Sequence, residues 1–265
     1  PAGTDVLQNV FAKTVRDRGV ATLVVAAVLL FFCVFTIGIY SGFDDDALGF
    51  YQDMPEALQA LYGESDGTAA GIVTGAIFSL LAPILLLVAA ISGGSDAALG
   101  EERRGSIGLL LANPLSRRGV LLSKVAVMLL GTALLAAVVW VGVAASSALF
   151  GLDLQGLDVG AASVQLVGLA WMFGAFTLAL GTATGRSSAA GVAAVIAAVS
   201  YLVTSLFPLE PRLEEYAKFT PWYLYSGNEP LRHGVDGVSL LVMVVATALL
   251  IGVGVPLYDR RDLAG

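Results

Sequence analysis

Long apolar runs separated by short polar segments dominate the chain. Six of them reach the length a bilayer demands, roughly 20 residues of helix. They cover about residues 20–40, 69–92, 125–149, 159–184, 187–207 and 238–258. None contains Asp, Glu, Lys, Arg or His. The gap between the fourth and fifth runs is centred on Gly185-Arg186, so these two must form a tight helical hairpin. The pattern predicts an all-α polytopic membrane protein: a single transmembrane domain over residues 1–265, with six transmembrane helices.

The segments between the runs have patterns of their own. Val6, Leu7, Val10, Phe11, Thr14 and Val15 recur at helical spacing, with Gln8, Asn9, Lys13, Arg16 and Asp17 on the other face. This predicts an amphipathic elbow helix over 5–19 lying in the inner headgroup layer; a plain extension of the first span is the other reading. A loop over 93–123 carries Glu101, Glu102, Arg103 and Arg104, then the apolar run 107–111. Left in water, Leu109-Leu110-Leu111 would be an exposed apolar stripe, which favours docking on a partner or a membrane surface over a solvated loop. Segment 208–237 is too polar to span and too apolar for a plain linker. Its Phe219, Pro221, Trp222, Tyr223 and Tyr225 suit a membrane–water boundary, as short interfacial helices broken by Pro211, Pro221 and Pro230.

Charge sets the orientation. With the N-terminus inside, the inner side holds Lys13, Arg16, Arg18, Arg103, Arg104, Arg117, Arg118, Lys124, Arg186, Arg260 and Arg261, eleven of the 14 basic residues. The outer side holds only Arg212, Lys218 and Arg232. Basic residues favour the cytoplasmic side, so both ends are expected in the cytoplasm. The outer loops are acidic, with Asp44, Asp45, Asp46, Asp53, Glu56, Glu64 and Asp66 in the first and Asp153 and Asp158 in the second.

Composition sharpens this picture. Apolar residues make up 57% and charged ones 13%, against about 25% charged in soluble domains, and the mean hydropathy is +0.84. The single cysteine, Cys33, excludes an intrachain disulfide framework and any multi-cysteine metal site. The chain opens at Pro1 rather than Met, so a trimmed start is expected, with the first run a retained helix rather than a cleaved signal. Three lysines against eleven arginines, with acidic outer loops, point to a GC-rich or salt-adapted prokaryote.

Missing chemistry excludes several classes. The three lysines follow Ala12, Ser123 and Ala217, so no phosphate loop of the G-x-x-x-x-G-K-[ST] kind exists. The lone histidine, His233, lies in an outer loop and reads as a surface residue. No zinc-protease helix and no grouped nucleophile are present, and neither catalytic residues, a metal site nor a cofactor is expected. Ion-coupled pumps need ionisable groups within the bilayer, and these spans have none. Uphill transport by such a chain takes its energy from another subunit; sodium carriers that use backbone carbonyls are a narrow exception.

Small residues are plentiful: Gly71 and Gly75, and Gly181 and Gly185, have the spacing of close helix contacts. Asp44–Asp46 read as solvated surface, with cation binding as the alternative. Thr74, Ser79, Thr132, Trp140, Thr177 and Tyr201 are scattered candidates for a pathway lining, or simply hold helices together.

Three segments carry a resemblance. The first is Glu101-Glu102-Arg103-Arg104-Gly105-Ser106, followed by Leu110-Leu111-Ala112-Asn113-Pro114-Leu115-Ser116-Arg117 and ending at Lys124. The second is Thr220-Pro221-Trp222-Tyr223-Leu224-Tyr225 with Pro230-Leu231 and Gly234. The third is Tyr258-Asp259-Arg260-Arg261-Asp262-Leu263. In this order the chain resembles the half-size permease subunit of ABC-2 type (type V) ABC transporters, similar to the kind used in nitrous-oxide-reductase maturation.

The resemblance implies an ATP-driven exporter in the prokaryotic cytoplasmic membrane. Two permease chains, identical or related, would form the substrate pathway as a dimer and couple to two separate ATPase subunits. ATP and Mg would belong to those subunits, leaving this chain without enzyme activity; no nucleic-acid partner is implied. Glu101, Glu102, Arg103, Arg104 and Ser106 would form the ATPase-coupling interface. Pro221, Trp222, Tyr223 and Tyr225 would form the outer gate. Two other readings stay open: a membrane anchor or assembly factor of a maturation or signalling complex without transport of its own, and a secondary carrier.

Overall fold

The structure, a computed structural model, describes residues 2–42, 49, 53–62, 68–104 and 117–260. Six helices are long and apolar enough to cross a membrane: Phe11–Tyr40, Ala70–Gly100, Arg117–Phe150, Val159–Thr184, Ala189–Leu209 and Gly237–Asp259. No strand occurs among the described residues. Each apolar run is thus a separate span, and the all-α polytopic architecture is present.

The fourth span is the centre. Of its most apolar window 72% is buried, against 17% in the first, fifth and sixth spans. The second, third, fifth and sixth spans pack around it, and the first lies on the third. Val20, Leu23, Val195 and Val238 point outward and are largely exposed, as lipid-facing side chains are.

Lipid tails are as apolar as leucine, so such helices associate through close fit rather than through the hydrophobic effect. The fit is closest at Gly93-Gly94. A Cβ on Gly94 would collide with the carbonyl oxygen of Gly174 in the fourth span and lie 3.1 Å from its carbonyl carbon. A Cβ on Gly93 would lie 2.7 Å from Met128 Cγ of the third span and 2.9 Å from Arg18 Nη1 of the first. Four spans meet at these two residues. Further along the same face, Gly181 leaves room for Ala98, which a Cβ there would approach to 2.9 Å. Gly142 likewise admits Cys33 and Leu30 between the first and third spans.

The helix ends differ from the hydropathy pattern. The loop expected over 93–123 is shorter, because one helix runs Ala82–Arg104 and the next Arg117–Phe150. Hydropathy marks where apolar surroundings end, not where the backbone stops winding. Gly93, Gly94, Ala97 and Ala98 are small because they pack against other helices, and they carry the helix past the apolar run. Residues 105–116, which include Ser106 and the apolar run 107–111, lie outside the described residues, as do Asp44–Asp46. The elbow is not separated from the first span either: one helix continues from Ala2 to Tyr40. The hairpin at Gly185-Arg186 is as expected. Gly185 takes φ 65°, the left-handed conformation that ends a helix, and its N–H returns to Gly181.

Contacts group residues as the charge rule does. Arg18 donates to Ala89 O at 3.3 Å and Ser92 Oγ at 3.0 Å, and Arg118 pairs with Asp259. All lie at the ends assigned inside. At the opposite ends, the Asp158 N–H donates to Leu231 O at 2.6 Å, and the Tyr201 hydroxyl to Leu61 O.

Gly94→Ala is expected to destabilise the protein by at least about 2 kcal/mol, because the clash is with backbone and the core is already close-packed. Gly191→Ala and Gly252→Ala, where a Cβ meets nothing within 4 Å, are expected to be neutral or mildly stabilising. Thermal unfolding of the three variants in lipid nanodiscs checks the ordering.

Candidate functional site

From the end of the fifth span to the start of the sixth the chain makes four short helical turns, Phe207–Leu209, Glu214–Ala217, Tyr223–Ser226 and Pro230–His233. Proline sets their limits: Pro211 and Pro221 fall between turns, and Pro230 opens the last one, where a missing N–H costs nothing. Such turns are too short to stand alone in water. Bonds from neighbouring spans hold them.

Trp222 and Tyr225 are the anchors, both buried. The Trp222 backbone N–H donates to Ser200 Oγ at 2.8 Å, and its indole packs against the Tyr201 ring at 4.9 Å, tilted by 55°. Tyr225 meets Trp222 edge-on at 6.2 Å. Between these anchors, Gln165 of the fourth span donates through Nε2 to Leu224 O at 2.8 Å. The Thr204 and Thr220 hydroxyls bond to each other. Asp158 caps the fourth span through Ala161 N–H at 2.8 Å while its own N–H takes Leu231 O.

The Tyr225 hydroxyl donates to Phe78 O at 2.6 Å, and the sequence explains why that carbonyl is free. Pro83 lies inside the second span, where its ring clashes with the carbonyl four residues back. The helix responds with a π turn over Ile77–Leu81, and the Ala82 N–H reaches five residues back to Ile77. In that register the partner of Phe78 O is residue 83, which as proline has no N–H. Tyr225 supplies the missing donor. Burial pushes its hydroxyl far above the ordinary tyrosine value, so it stays protonated and able to donate.

Beneath these turns is a half-open cavity of about 410 Å³, with Phe78 and Ser79 below, Thr204 at the side and Trp222, Tyr223 and Tyr225 above. This is within the size range of small-molecule sites. Its carboxylate, Glu229, and its guanidinium, Arg232, neutralise each other at 3.2 Å. Glu229 holds φ 47°, unusual for a residue with a side chain. A Cβ on Gly227 would lie 2.6 Å from the Tyr223 ring, so glycine is what lets that ring lie flat on the turn.

The structure therefore brings Trp222, Tyr223 and Tyr225 together at the outer end, with Pro221 at the start of their turn. Glu101, Glu102, Arg103 and Arg104 form the last turn of the helix Ala82–Arg104 at the opposite end. The scattered hydroxyls separate into groups. Thr74, Thr132 and Thr177 are buried and spend their hydroxyls on their own helices, bonding Ala70 O, Met128 O and Phe173 O. Trp140 is half exposed on the outside of the third span, whereas Ser79 lines the cavity and Tyr201 backs Trp222. Gln165, Ser200 and Pro83 were not singled out by the sequence, and Asp158 was legible there only as one acid of an outer loop. Gln165 is the one carboxamide inside the six apolar runs, and Pro83 is a proline in mid-span; those were the available signals.

The segment's far end is fixed by Asp236. Ser239 Oγ–H and N–H and Val238 N–H donate to its carboxylate at the start of the sixth span. The Ser239 hydroxyl, with the amides behind it, holds this carboxyl below its ordinary value. A depressed carboxylate contributes stability above the unfolded-state value and loses it as pH falls through the folded one. Asp236→Ala is expected to cost about 1 kcal/mol at neutral pH, as for other N-caps. The difference from wild type should vanish on acidification below the ordinary carboxylate range, which unfolding midpoints across pH will measure.

The sequence model of the ABC-2 family transporter protein matches residues 7–263. No curated protein matches the chain. The match takes in all six spans, the charged end of the second helix and the pinned outer turns, and by it the chain belongs to the ABC-2 transporter family.

Proposed function

We propose that the chain is the transmembrane subunit of an ATP-driven exporter in a prokaryotic cytoplasmic membrane, paired with a second permease chain and driven by two separate ATPase subunits. Family membership supports a membrane subunit of an ABC transporter. One observation supports the coupling route. The second span is a single helical rod, with one π turn, from the Phe78 carbonyl under the outer turns to Arg104 at the charged inner end. At 1.5 Å per residue that distance is roughly 40 Å, about the thickness of a bilayer with its headgroups.

In this reading ATP draws the two ATPases together, and the segment around Glu101, Glu102, Arg103, Arg104 and Ser106 takes up the movement. The rod carries it through the Gly93-Gly94 crossing. Pro221, Trp222, Tyr223 and Tyr225 answer it as the outer gate. The six apolar runs hold no ionisable group to serve as a proton relay, which suits this division.

The test needs no identified cargo. In a Cys33→Ala background, Ser226→Cys reports on the outer turns through its rate of labelling by a membrane-impermeant maleimide in proteoliposomes. ATP added to the complex is expected to change that rate. Glu102→Arg combined with Arg103→Glu is expected to abolish the change and the stimulation of ATPase activity. Wild-type responses in the charge-reversed complex would remove the coupling assignment. ATP hydrolysis that never alters Ser226→Cys labelling would favour an anchor or assembly role.

A further inference from the structure

We propose that the π turn of the second span is a register switch, and that Tyr225 is the positioning residue that reads it and latches the outer turns shut. The proposal rests on the reading of those turns as a gate.

The argument begins with which carbonyl lacks a backbone donor. In the observed π register, Ala82 N–H is committed to Ile77 O, and the next donor in line, residue 83, is proline. Phe78 O is left over, and the Tyr225 hydroxyl takes it at 2.6 Å. If the same turn winds as ordinary α-helix, each N–H reaches four residues back. Ala82 N–H then satisfies Phe78 O, and Pro83 leaves Ser79 O unpaired instead. Both registers spend the same backbone N–H donors, so neither gains a backbone hydrogen bond over the other. The two differ in where the open carbonyl points. Successive residues are about 100° apart around a helix, so the slip turns the open acceptor away from Tyr225.

The two registers have different consequences. The π register offers an acceptor to a buried tyrosine hydroxyl; the bond stabilises the π turn and the closed gate together. The α register leaves Tyr225 with a buried, unpaired hydroxyl, which is unfavourable, and moves the open carbonyl to Ser79, which lines the cavity. Gate opening, which exposes Tyr225 to water, removes that penalty. A slip of one residue also rotates everything below it relative to everything above. Movement at the Arg104 end of the rod and release at the Tyr225 end are then one event. π turns are rare and costly, and they recur at functional positions; here proline supplies the cause and tyrosine the use.

A double-mutant cycle isolates the link. Tyr225→Phe keeps the ring and removes only the donor. Pro83→Ala restores an N–H, so that Phe78 O has a backbone donor in either register, residue 83 in the π turn or Ala82 in the α-helix, and no longer depends on Tyr225. The readout is labelling of Ser226→Cys in the Cys33→Ala full-length chain, reconstituted in proteoliposomes without nucleotide. Size-exclusion profiles and unfolding midpoints accompany each variant. With Pro83 in place, Tyr225→Phe should raise the labelling rate about tenfold, the effect of one buried hydrogen bond. In the Pro83→Ala background, Tyr225→Phe should add nothing. An equal increase in both backgrounds would show that Tyr225 holds the turns by another contact: the latch would be overturned and the gate would stand. No increase in either would overturn the latch as well, and the reading of these turns as a gate would then rest on the nucleotide response alone.

Discussion

Everything in this fold depends on how closely the second and fourth spans approach at Gly94 and Gly174. Backbone touches backbone there, with no side chain between. In a bilayer, where burying a leucine gains nothing over leaving it in lipid, such contacts are what specify one arrangement of helices. Gly93, about 100° around the same turn, admits Met128 and Arg18. The close fit continues inward, where Gly181 of the fourth span meets Ala98 of the second. Toward the outer end the cavity and the short turns that cover it lie beside the second span.

The second span thus has two sites where its local rules are broken, with a stiff segment between them. At Gly93-Gly94 side chains are absent so that backbone can meet backbone. At Ile77–Leu81 the hydrogen-bond ladder is rearranged so that a carbonyl becomes available to a distant tyrosine. The first is a fixed point held by steric contact, the second a joint whose state depends on one hydroxyl. A lever needs both. The outer turns have no core of their own and take their shape from Ser200, Gln165, Phe78 and Asp158, which reach them from separate elements or from opposite ends of the fourth span's outer half.

The six spans, the hairpin at Gly185-Arg186 and the broken aromatic segment were legible because each rests on a local property: run length, a two-residue gap, closely spaced prolines. The helix ends were not, since the residues from Gly93 to Arg104 lose hydropathy without losing helix. The glycine spacing was legible only in part. Gly181 does make a close contact, with Ala98, but Gly75 lines the cavity instead, and the closest crossing is at Gly94, paired with a glycine eighty positions away. The bond from Tyr225 to Phe78 joins residues separated by 147 positions. No local pattern could reveal it, although Pro83 showed that some carbonyl in the preceding turn would lack a donor. Polar hydroxyls could not be sorted by sequence for a related reason: a threonine in a span can bond its own backbone, as Thr74, Thr132 and Thr177 do.

The tight turn at Gly185 also bears on how the protein is made. The fourth span, the most enclosed in the finished molecule, has the least hydropathic window of the six, 1.7 against 2.1 for the fifth and up to 2.9 for the first. Of all the spans it is the one that gains least by leaving the insertion machinery for lipid. Its partner across the Gly185 turn is more apolar and is joined to it by too few residues to be inserted far apart in time. Taken together as a hairpin, the two spans are more apolar than the fourth alone, an advantage that needs no contact between Gly174 and Gly94. The residue that ends one helix at φ 65° thus couples the least apolar span to a more apolar neighbour.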